Sequence, residues 1–140
     1  MASLMDDIME TARNFTANMQ ENAGLTLDYS AESLREVDDL LEAFRQEDLD
    51  EEALFNISSM VGCYVFETAR LCYGGEYFWI EEEQQPILVA GLPEFSVGIK
   101  AWEKVRGRLV NGAEDAIPFY IAGYQDHIKR AEKGARVTIV

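Results

Sequence analysis

Histidine, cysteine, proline and basic side chains are all scarce in this chain: one histidine, two cysteines, three prolines and 12 lysines plus arginines among 140 residues. The lone histidine, His127, and the lack of any short-spaced Cys or His pair leave a transition metal without a donor set. Nucleophilic catalysis is equally unsupported, because a Ser-His or Cys-His arrangement would rest on His127 alone, late in a helix between Asp126 and Lys129. Cys63 and Cys72 fall nine residues apart in a segment that reads as one helix. That spacing sets them on opposite sides of the axis and about 13.5 Å along it, too far for a disulfide, so both read as core thiols.

Long apolar runs are missing too. The longest, Met60 to Phe66 and Ile87 to Leu92, fall far short of the ~20 residues a membrane span requires. Asp6, Asp7 and Glu10 occupy positions where a signal or transit peptide would carry Lys or Arg, so a cytoplasmic location is expected. No phosphate-binding loop occurs, since Gly74-Gly75 is followed by Glu76 and Tyr77 rather than Lys and Ser. No cofactor is expected, and the reading leans away from an enzyme.

What the chain does hold is acid. Its 26 Asp and Glu give a net charge of −14, and residues 1–52 alone carry 15 acids against Arg13, Arg35 and Arg45, a net of −12. Such a field disfavours nucleic acid and anionic lipid and favours a cationic protein partner, although an acidic helix face can also be simply solvated. The hydrophobic fraction of 48% is ordinary for a globular protein, and no linker or repeat divides the chain, so residues 1–140 read as one domain.

Periodicity places five helices. Ile8, Ala12, Phe15 and Met19 form one stripe that ends at Gly24. Ser30 offers a cap for a helix over about 31–46, with Leu34, Val37, Leu40, Leu41 and Phe44 inward and Glu32, Glu36, Asp39 and Glu42 on a solvated side. A third helix, about 50–73, is apolar nearly all round from Ile57 to Leu71, which puts it at the centre of the fold. Phe95, Ile99, Trp102, Val105 and Leu109 mark a fourth. The fifth takes Asp115 as its cap, Pro118 in its first turn and Gly134 as its stop.

Between the third and fourth helices, residues 76–92 read as a β-hairpin, and the β-branched run 136–140 reads as a strand seeking a sheet edge. The fold class expected is therefore α+β, with about five helices around a small antiparallel sheet made of the hairpin and the C-terminal strand. If the tail cannot reach the hairpin, pairing with a second molecule makes a homodimer by strand exchange.

Two groups of residues are candidates for function. On the central helix, Glu67 and Arg70 are the only charges between Asn56 and Gly74, and at i, i+3 they can pair. With Tyr64 they form either a structural ion pair or the edge of a pocket. On the hairpin, Tyr77 and Trp79 face opposite to Phe78 and Ile80. If exposed beside Glu81, Glu82 and Glu83, Tyr77 and Trp79 have the composition of a recognition surface. Those three glutamates lack the enclosure that paired catalytic carboxylates need, and no calcium loop surrounds them.

Tyr64, Glu67, Arg70, Gly74-Gly75, Tyr77, Trp79, Pro86 and Phe95, followed by Val105, Arg106, Arg108, Leu109, Asn111 and Gly112, resemble a group of small bacterial proteins of unknown function. The resemblance covers about residues 28–124 and departs from the group at Phe66, where a glycine is usual, and in the Val105 to Leu109 helix end. It implies no catalytic residues. The leading expectation is a non-enzymatic protein-binding module of the immunity or accessory kind, which neutralises a partner by direct binding. The alternative is a small-ligand binder or enzyme with a pocket near Glu67, Arg70 and Tyr64.

Overall fold

A computed structural model describes residues 3–140. Among the described residues the chain runs through α1 (Leu4–Ala23), α2 (Ser33–Arg45), α3 (Glu51–Tyr73), β1 (Glu76–Ile80), β2 (Gln85–Ala90), β3 (Ser96–Ile99), α4 (Ala101–Asn111), a 3-10 turn (Ala113–Asp115), α5 (Ile117–Arg130) and β4 (Arg136–Thr138). The fold is α+β. Helix α1 opens with a reciprocal capping box between Ser3 and Asp6 and closes on left-handed Gly24, and its expected stripe of Ile8, Ala12, Phe15 and Met19 is buried. Asp50 caps α3 by accepting from the Ala53 amide at 2.8 Å. Its middle, Val61 to Ala69, is buried on every side, as an all-round apolar helix requires. α1 and α4 flank it, and Gly62 permits α4 to come close: a Cβ there would lie 2.6 Å from Cδ1 of Trp102.

Five features differ from the sequence reading. Residues 96–99 are a strand rather than the start of a helix, so α4 begins only at Ala101. The spacing of Phe95, Ile99 and Trp102 mimics a helical stripe, but Val97, Gly98 and Ile99 are all buried, which a one-sided helix would not produce. The sheet is consequently mixed, in the order β1-β2-β3-β4, with β1, β2 and β3 antiparallel and β4 parallel to β3. The tail therefore pairs within its own chain, on β3 and not on the hairpin. β3 already occupies the free edge of β2, and the two-helix excursion through α4 and α5 is long enough for a parallel crossover.

The cap expected of Asp115 is supplied instead by Asp38, whose Oδ1 accepts from the Ile117 amide at 2.9 Å. Asp115 is engaged elsewhere, by Lys104 Nζ at 2.7 Å and by the Asn111 side chain. Glu42, read as part of a solvated face, accepts from Arg108 Nη1 at 2.9 Å, while Asp38 takes Nε and Nη2 of the same arginine. Arg108 is only 3% exposed. This charge cluster joins α2, α4 and the start of α5. Finally, only Cys63 is a core thiol; Cys72 is exposed near the end of α3.

Candidate functional site

The first candidate group lies on the central helix α3 and meets β1 at Tyr77. Glu67 is 4% exposed and receives Arg70 Nε at 2.7 Å, Arg70 Nη2 at 3.0 Å and the Tyr77 hydroxyl at 2.7 Å. The carboxylate is thus saturated by one bidentate arginine and one phenol. The hydrogen bond to Glu67 holds the Arg70 guanidinium charged, and burial beside that carboxylate pushes the Tyr77 hydroxyl far above its usual range, fixing it as a donor. Tyr77 also packs edge-on against Phe66 at 5.5 Å between centroids.

Tyr64 belongs to a different set. Its hydroxyl accepts from the Tyr29 amide at 2.9 Å and lies 2.6 Å from Ser33 Oγ, which itself donates to the Ser30 carbonyl. The Tyr64 ring stacks on Tyr29. Through Ser33 and Tyr77 these contacts tie α2 and β1 to α3.

The hairpin aromatics separate. Tyr77 turns inward to Glu67, whereas Trp79 remains 41% exposed and leans on Trp102 of α4, rings at 79° and centroids 6.0 Å apart. Phe55, near the start of α3 and 56% exposed, also meets Trp102, at 86° with centroids 6.0 Å apart. These three rings, with Leu4, Asp7, Ile8 and Thr11 from the first turns of α1, line a cleft of about 300 Å³. Ser59 and Cys63 of α3 complete its lining. Burial pushes the Cys63 thiol up to about 11, with the neighbouring Trp102 indole N–H opposing the shift. Among the described residues that buried N–H has no hydrogen-bond partner that meets the geometry of one.

The glutamate triplet lies in the turn beyond Trp79. Glu83 pairs with Lys100 Nζ at 2.9 Å, which lowers its pKa, and Glu81 accepts from the Gln84 amide group. Glu82 is exposed. Among the described residues no three His, Cys, Asp or Glu side chains are placed to hold a metal ion, and no helix is long and apolar enough to cross a membrane.

A larger groove of about 1000 Å³ runs between α5, the 3-10 turn and the tail, lined by Phe119, Tyr120, Val137 and Ile139 among others. His127 borders it, with Nδ1 2.9 Å from the Gly123 carbonyl.

Sequence reasoning found Trp79 but missed Phe55, Trp102 and Asp7 as its companions. Trp102 read as one member of a buried stripe, and Phe55 precedes the apolar stretch that defined the central helix. The available signal was that the chain holds two tryptophans and both are in this cleft. No known protein family, curated protein sequence or solved structure matches the chain.

Proposed function

We propose that this protein is a non-enzymatic binding module that docks a cationic protein partner at the cleft of Trp79, Trp102 and Phe55. The observation that carries this reading is a cluster of half-exposed aromatic side chains flanked by Asp7 and by Glu83, which lines the adjoining recess with Phe55 and Trp102. Large aromatics in a partly desolvated recess are the usual energetic anchors of protein interfaces. A chain of net charge −14 adds long-range attraction that speeds encounter with a basic partner. Neutralising such a partner by occupying its surface, as an immunity or accessory protein does, requires no chemistry beyond this. The ion pair of Glu67 with Arg70 then has a supporting role, holding β1 and hence Trp79 in place through Tyr77.

The experiment is capture from the source cell on immobilised wild-type protein and, in parallel, on Trp79→Ala, followed by reconstitution of the complex from purified components. A basic protein that forms a stoichiometric complex, is released by raised ionic strength and binds Trp79→Ala about 30-fold more weakly is expected, in line with ~2 kcal/mol for a hot-spot aromatic. A reconstituted complex indifferent to Trp79→Ala would place docking elsewhere on the molecule.

A further inference from the structure

The walls of the cleft are set at right angles. Trp79 and Phe55 stand at 79° and 86° to Trp102, each with its ring centroid 6.0 Å from that of Trp102. Both contacts are edge to face, and all three rings line one recess of about 300 Å³. A recess of that volume has a radius of about 4 Å, so a cation seated in it falls inside the ~6 Å over which a π face attracts it. Asp7 lines the same cleft from the first turn of α1 and, among the described residues, has no ion-pair partner.

We propose that this cleft is an aromatic cage for a methylated ammonium group, carried by a trimethylated lysine of a partner protein or by a free quaternary amine. Three ring walls offer no hydrogen-bond acceptors, which suits a cation that has no N–H donors to satisfy. An unmodified ammonium is strongly hydrated and carries three N–H donors, so it would lose water without regaining partners on three sides. Methyl groups instead bury against the rings while the charge stays over their faces and near the Asp7 carboxylate. An anion is repelled by the same carboxylate and by the charge of the whole chain. At about 300 Å³ the recess is at the small end of ligand sites, the scale of a headgroup rather than of a cofactor.

This inference deepens the docking reading and rests on it only for the choice of a lysine as the source. Its test needs no partner, because the chain's two tryptophans are two of the walls and report occupancy by fluorescence. Titrate the whole protein with choline chloride against sodium chloride of equal ionic strength, and with 3,3-dimethyl-1-butanol, the neutral isostere of choline.

A saturable change with choline in the millimolar range is expected, together with none from the isostere. Asp7→Asn, with unchanged far-ultraviolet circular dichroism, should weaken choline about threefold to fivefold, and Trp79→Phe should weaken it while leaving Trp102 as reporter. A trimethyl-lysine peptide binding at least tenfold more tightly than choline identifies a protein source; equal affinities identify a free amine, which keeps the cage and sinks docking through a methylated lysine. Equal response to choline and its isostere, no saturable response to choline, or equal affinity for trimethylated and unmodified lysine peptides would overturn the cage. A complex lost in Trp79→Ala would still uphold the docking reading on its own.

Discussion

Replacing Glu67 with alanine should cost more than any other single truncation on the β1 side of α3. The carboxylate is 4% exposed, accepts two hydrogen bonds from Arg70 and one from Tyr77, and its loss strands both donors. Breaking a buried ion pair typically costs ~3 to 5 kcal/mol. Here the Arg70 side chain is 20% exposed and can turn toward water, so the lower end, about 3 kcal/mol, is expected. Urea unfolding followed by circular dichroism measures it. With a slope of ~1.5 kcal/mol/M the midpoint should fall by about 2 M.

Tyr77→Phe removes one charge-assisted bond and should cost ~1.5 kcal/mol. The double variant Glu67→Ala with Tyr77→Phe should then cost less than the sum of the two, because they share that bond. A loss under ~1 kcal/mol for Glu67→Ala would place the pair in the surface class and refute the role given to it in holding β1.

Gly62→Ala should destabilise by ~1 to 3 kcal/mol and shift tryptophan emission, since the new methyl would meet Trp102 at 2.6 Å. Arg108→Met should destabilise by leaving Asp38 without its buried guanidinium, whereas Arg106→Met, at an exposed pair with Glu51, should change little. A thiol reagent should titrate Cys72 in the native protein and Cys63 only on unfolding. Because burial raises Cys63 to about 11 from 9.0, folding favours its protonated form, and its contribution to stability should be present below pH 9 and lost as pH rises toward 11. Lys104 and Asn111 lower the pKa of Asp115, so the stability from that contact should be present above the ordinary aspartate range and fall away on acidification through its depressed value; Lys104→Met should flatten that acid limb.

The helices were legible because their stripes are regular. Ile8, Ala12, Phe15 and Met19 repeat with the helical period and end at a glycine that adopts the left-handed conformation. The sheet was less so. Residues 95–99 carry spacings compatible with either state, and only pairing with the edge of β2, a contact between elements, selects the strand. The parallel addition of β4 depends on where α5 delivers the tail, which local pattern does not encode. The Arg108 cluster was hidden for the same reason, since Asp38 and Glu42 look solvated until α4, some 70 positions away in the chain, brings a guanidinium to them. For the candidate site, alternation on β1 grouped Tyr77 with Trp79, and both do lie on the helix-facing side. Their different exposure follows from what stands opposite: Glu67 takes Tyr77, while Trp102 leaves Trp79 half open.

The most direct measurement of the central claim is a proton–nitrogen correlation spectrum, in which the two tryptophans give two indole N–H signals and no other side chain contributes one. Adding the reconstituted basic partner should shift or broaden both indole signals, together with backbone amides of Asp7, Thr11 and Phe55 around the cleft. Perturbations confined to Phe119, Gly123, Val137 and Ile139, with both indole signals unmoved, would assign binding to the groove beside α5 and contradict the account.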